Sequence, residues 1–273
     1  MILGGEGVRR EKAFRIAEES LGRQVSAATK AGRHWGRDGA IALCRRRLDA
    51  LEELGEEARG QSAFASTYYA AAHLAASRIR LHPSAPIWGV LFLWDLTRAR
   101  YWIERHEKAA GGIKRMSAGA LDIYAAIATM RGDLWGHVSH SRADACYRAA
   151  IHAAVAVAGC GKLSDDDYAL NLVRRVGLLM RTETGSGGQT DSALDLITEA
   201  FTMVPRLAPL TAVRVMRQFG EFLGETGKFA EAELHLTTAR ALAKQEGLAD
   251  QVAKITPLLA RVWKKRLGRT SWF

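Results

Sequence analysis

Apolar residues recur at helical spacing along almost the whole chain, and short breaks containing glycine, proline or serine separate the segments that carry them. In the N-terminal half the pattern predicts helices over 8–30, 38–58, 62–81 and 86–108. The last of these is apolar on nearly all sides over its first half, so it is expected to be the buried centre of that half. After the sequence GGIK the pattern restarts, with helices over 117–130, 140–158, 163–184 and 190–204. A helical pair over 215–244 and a final helix over 249–267 complete the series. Ser164 is placed to cap the 163–184 helix, and Asp165, Asp166 and Asp167 put negative charge on its first turn. Thr190 or Asp191 is expected to cap the next. No convincing period-two run reads as a strand, and only 5 prolines interrupt 273 residues. The chain is expected to be all-α.

The pair over 215–244 carries the most information. Gly220, Ala232 and Ala239 supply small residues where two helices must cross, and Phe219, Leu223, Phe229 and Leu236 fill the space beside them. Gly227 falls at the turn, where a positive φ costs least. The stretch VRRVGLLMRTETG, beginning at Val173, parallels VMRQFGEFLGETG, beginning at Val215, with Gly177 and Gly220 about forty residues apart. Ala193 and Ala200 repeat the spacing of Ala232 and Ala239, as do Ala143 and Ala150 more faintly. This pattern resembles the tetratricopeptide repeat (TPR), a helical hairpin of about 34 residues that stacks on its neighbours. The resemblance implies antiparallel helical hairpins stacked as a TPR-like right-handed superhelix. It divides the chain into an N-terminal helical region, 1–112, of divergent repeats or a helical bundle, and TPR-like repeats with a basic C-terminal helix over 113–273. It also implies a non-enzymatic interaction scaffold, with the first helix of each pair lining the concave face.

On that face the resemblance groups Asn171, Arg174 and Arg181 from one unit with Arg214 and Arg217 from the next. Glu221 and Gly224 lie on the same stripe as the latter pair. Arginine forks beside an amide suit bidentate capture of carboxylates, so an acidic peptide or protein is the expected partner. A net charge of +10 agrees with an acidic or polyanionic partner. The second reading is a nucleic-acid-associated or transcription-regulatory helical repeat protein. Arg261, Lys264, Lys265, Arg266 and Arg269, beside Trp263 and Trp272, combine phosphate-contacting and stacking side chains near the C-terminus. Bacterial peptide-sensing regulators join helical repeats of this kind to a DNA-binding helix-turn-helix, but the first sixty or so residues here read as long hairpin helices. Arg45, Arg46 and Arg47 point in three helical directions and form no single stripe. Self-association is left open.

Other chemistry is thinly supported. Cys44, Cys146 and Cys160 form no CxxC pair, which argues against a zinc module and a disulfide framework. His137, His140 and Asp144 share a helical face near Cys146, without an HExxH or second ligand pair. The sequence DDDY at 165–168 is similar to acidic magnesium motifs of all-α prenyl-transferring enzymes, yet has no second acidic motif and reads as helix capping. No nucleophile elbow, phosphate-binding loop or dinucleotide fingerprint is present. Neither catalysis, a metal nor a cofactor is expected. The first residues lack a hydrophobic signal core, and the apolar run over 85–94 is too short to span a bilayer, so a cytoplasmic location is expected and no membrane partner.

Overall fold

The computed structural model describes residues 20–21, 23–25, 27–28, 31, 39–54, 58–81, 87–158, 165–182 and 187–270. The fold is all-α, with no strand among the described residues. Most of the expected 8–30 helix, the Ser164 cap, Cys160 and Trp272 lie outside them. Two compact units, Met1–Ile127 and Ala128–Phe273, divide the chain.

The first unit holds α1 (Ala40–Leu54), α2 (Ala58–Leu81), α3 (Ile87–Ala110), a single 3-10 turn (Ile113–Arg115) and the start of α4 (Ala118–Trp135). Helices α2 and α3 pack along their length because alanine lines the seam: Ala65, Ala72, Ala75 and Ala99 are all buried. Phe64 stacks on Trp102 with ring centroids 4.4 Å apart. Leu43 and Cys44 of α1 join Ala71 and Leu74 of α2 in a second cluster with Val25 and Ala28. Burial there pushes the Cys44 thiol up to about 11. One ion pair ties α1 to α3: an Arg45 Nη donates to Asp95 Oδ2 over 2.9 Å. The other Asp95 oxygen is buried with no hydrogen-bond partner among the described residues. That burial raises the carboxyl above its ordinary range despite the arginine.

The expectation that α3 forms a buried centre is corrected. Leu96, Ala99, Trp102 and Ile103 are buried, but Ile87, Val90, Leu93 and Trp94 are 48–65% exposed. An all-round apolar sequence permits burial on every side without supplying a neighbour for each.

The second unit holds the end of α4, then α5 (His140–Ala158), α6 (Asp165–Thr182), α7 (Gly187–Thr202), α8 (Pro209–Glu225), α9 (Phe229–Gln245) and α10 (Ala249–Thr270). Adjacent helices form stacked pairs. Ala143, Ala150, Ala193, Ala200, Ala232 and Ala239 are all fully buried, so the alanine spacing read from the sequence marks the packed face of α5, α7 and α9. At Gly220 the helices approach so closely that a methyl would stand 2.6 Å from Leu236 Cγ. Gly177 of the parallel stretch on α6 makes no such crossing, since a methyl there would meet only Gln218 at 3.8 Å. Gly132 takes that part in the α4/α5 pair, where a methyl would lie 2.5 Å from the Tyr147 ring. Gly227 turns the α8/α9 hairpin at φ +86°, and the Lys228 N–H reaches back to the Leu223 carbonyl over 2.9 Å. Pro209 starts α8, where its missing N–H costs nothing. Helix α7 begins at Gly187, before the expected Thr190 or Asp191 cap.

Two of this unit's buried clusters meet at α8. Val173, Val176, Ile197 and Ala200 of α6 and α7 meet Val215 and Phe222 of α8. On its other side α8 puts Val213, Met216 and Leu223 against Leu236 of α9 and Ile255, Leu259 and Val262 of α10. Helix α8 thus serves both cores, which is how one pair stacks on the next. Asp165, Pro209 and Ala249 open α6, α8 and α10, so successive first helices start about 40 residues apart, longer than the TPR unit of about 34. No helix among the described residues is long and apolar enough to cross a membrane.

Candidate partner-binding face

Helices α6, α8 and α10 lie side by side, and the polar residues they share across their seams define the candidate face. Asn171 is buried, and its amide is engaged at both ends. Thr129 Oγ1 donates to its Oδ1 over 2.7 Å, and its Nδ2 donates to the Asp167 carbonyl over 2.8 Å. The side chain therefore fastens α4 to α6. Arg174 meets Asp133 of α4 at 3.2 Å, and Tyr147 donates its hydroxyl to the same carboxylate oxygen over 2.8 Å. Burial, reinforced by Asp133, pushes the Tyr147 phenol well above its usual range. Two turns on, exposed Arg181 bonds the Gly177 carbonyl of its own helix at 3.0 Å.

On α8, Arg217 reaches across to α10, where its Nη1 donates to Gln251 Oε1 over 3.2 Å. Burial lowers the basicity of this guanidinium; Glu221 and Asp250 act against that, while Arg214 adds to it. Asp250 is held below the usual carboxylate range, first by its hydrogen bond from Lys254. Gln218, also buried, donates to the Met180 sulfur over 3.3 Å and links α8 to α6. The structure thus brings Arg214 and Arg217 together at the α8/α10 seam, and places Arg174 at the α4/α6 seam.

The basic residues of α10 are differently disposed. Lys265 pairs with Glu225 at 2.7 Å, Arg261 approaches the same carboxylate at 3.7 Å, and Arg266 pairs with Glu233 at 2.6 Å. Lys264 is exposed; nothing is described of the Arg269 side chain. A shallow crevice between Glu221, Leu236, Arg261 and Lys265, with room of only about 10 Å³, follows this seam.

The acidic triplet of α6 faces the turn before α8. Asp166 accepts from the Ala208 N–H at 3.0 Å and Asp165 meets Arg206 at 3.5 Å. Asp144 is bracketed by Arg148 at 2.8 Å and Arg175 at 2.7 Å. No cluster of three metal-ligating side chains occurs among the described residues.

Asp133, Gln218, Gln251 and Glu225 were not singled out in the sequence, yet each contacts an expected site residue or its neighbour on the face. Only the lateral spacing of the first helices reveals them. No protein-family model matches the chain, and no curated protein matches it.

Proposed function

We propose that the second unit is a non-enzymatic, TPR-like interaction scaffold, with a repeat somewhat longer than the usual one, that holds an acidic peptide or protein segment against Arg214 and Arg217. Arg174 and Arg181 extend the same face, and Asn171 holds it in register. The observation that carries this reading is Arg217: a largely desolvated guanidinium whose hydrogen bond goes to the uncharged Gln251 amide, with a second arginine beside it. A carboxylate arriving there would gain charge-assisted bonds in a partly dry setting, where such bonds are strongest. The nucleic-acid reading has less support, because Glu225 and Glu233 already hold three of the basic residues on α10 in ion pairs.

The test is fluorescence anisotropy with a labelled oligoglutamate peptide carrying a free C-terminal carboxylate. The double substitution Arg214→Gln, Arg217→Gln is expected to weaken binding by about tenfold, near the worth of one charge-assisted contact. Undiminished binding by a double variant with unchanged circular dichroism would refute the groove. Retention of generic duplex DNA that falls steeply with salt, in place of peptide binding, would favour the second reading.

A further inference from the structure

Arg217 has a carboxylate one turn along its own helix, Glu221, whose charge acts on the guanidinium. The two form no ion pair among the described residues. Arg217 instead crosses the α8/α10 seam and donates to Gln251 Oε1 over 3.2 Å. Gln251 is only 2% exposed, and its other end is engaged as well. Its Nε2 donates to Asp250 Oδ2 over 3.2 Å, and Lys254 Nζ donates to the same oxygen over 2.7 Å. The amide thus stands between a cation and an anion, with its oxygen toward the first and its NH₂ toward the second. Turned over, it would set donor against donor and acceptor against acceptor. A carboxylate in its place would repel Asp250, and an ammonium would repel Arg217.

An amide hydrogen-bonds a guanidinium without cancelling its charge, whereas Glu221 would cancel it. We propose that Gln251 is the positioning residue of the arginine face. It draws Arg217 across the seam, away from Glu221, and leaves its charge for an incoming carboxylate. Asp250 and Lys254 fix the orientation of the amide that does this. The order Arg then Glu at i, i+4 is the weaker of the two, so one buried hydrogen bond suffices to hold Arg217 off Glu221. This inference rests on the role proposed above for Arg214 and Arg217, and adds what keeps the empty site from neutralising itself.

Anisotropy with the labelled oligoglutamate peptide and the full chain provides the first readout. Gln251→Met keeps the length and bulk of the side chain and removes the amide. If Glu221 then takes Arg217 in about two molecules of three, affinity falls about threefold. Adding Glu221→Gln should erase that loss, so that the double variant binds as tightly as Glu221→Gln alone; a merely structural role for Gln251 would be untouched by this change. Gln251→Glu should weaken binding about tenfold, with or without Glu221→Gln, because the introduced carboxylate holds Arg217 itself. No loss on Gln251→Met, or the same loss with and without Glu221, overturns the proposal. The second readout needs no peptide. The NMR resonance of the Arg217 Nε–H, assigned by its disappearance in Arg217→Gln, should move on Glu221→Gln in the Gln251→Met background and stay nearly still with Gln251 in place. Equal movement in the two backgrounds overturns the proposal. The expected movement in a protein that binds no peptide would uphold the positioning by Gln251 and refute the groove.

Discussion

Gly220 has no room for a methyl group. Replacing it by alanine would put Cβ 2.6 Å from Leu236 Cγ, 3.0 Å from its Cδ2 and 3.3 Å from the Ala232 carbonyl. Leu236 is completely buried and cannot swing into water, so α8 and α9 must separate or Leu236 must leave its rotamer. Such overpacking costs about 1–3 kcal/mol, and more when backbone moves. Against it stands the helix-propensity gain of alanine over glycine, about 1 kcal/mol. Gly220→Ala should therefore destabilise by roughly 1–2 kcal/mol net. Gly177→Ala is the internal control. Its new methyl would sit 3.8 Å from Gln218 in ordinary contact, so the propensity gain stands alone and the protein should be stabilised by about 0.5–1 kcal/mol. Urea unfolding followed by circular dichroism gives both values, provided the slope is unchanged. In a double-mutant cycle, Leu236→Val should recover part of the Gly220→Ala loss, with a coupling above about 0.5 kcal/mol. Equal shifts of the same sign at the two glycines would show that the close α8/α9 crossing does not exist.

Two other substitutions probe buried polar groups. His235 packs between Phe201 and Phe219, at ring distances of 5.0 and 4.8 Å, and burial lowers its pKa. The unfolded chain therefore takes the proton first as pH falls below about 6.5, so stability should decline from there and level off below the folded-state pKa. His235→Phe should flatten that part of the profile of urea midpoint against pH. Arg45→Ala would leave the Asp95 carboxylate buried and unpaired; removing one partner of such a pair costs about 3–5 kcal/mol, and the partial exposure of Arg45 places this case near the lower end. Asp95→Asn in the Arg45→Ala background should restore much of the loss, and its failure to do so would show that the charge is not the cause.

What was legible in the sequence was whatever depends on short separations. The paired alanines of α5, α7 and α9 mark close contact because only small residues fit there, and Gly227 marks a turn because its backbone needs a positive φ. The arginine stripe was legible as a stripe. Its hydrogen-bond and ion-pair partners were not, because Arg217 finds Gln251 at a separation of 34 and Lys265 finds Glu225 at 40, which requires the sliding register of two helices. The apolar pattern ends its helix at 130 and leaves Asp133 in the break before 140, yet Asp133 lies in the last turn of α4 and meets Arg174. Gly177 and Gly220 occupy similar places in parallel stretches, one position out of register, and differ in space, since the spacing of a glycine does not say how near the next helix comes. Hydrophobicity gave α3 its helix but could not say that Ile87, Val90, Leu93 and Trp94 would stay exposed.

The shared core of α8, α9 and α10 also bears on how the chain is made. Helices α8 and α9 can close on each other as soon as both have left the ribosome, because a short turn at Gly227 joins them. Met216, Leu223 and Leu236 are not fully covered at that moment. Their remaining cover is Ile255, Leu259 and Val262, which are synthesised later. A translational pause before Ala249 would leave a sticky apolar strip open to other chains, and the completed α10 is what hides it.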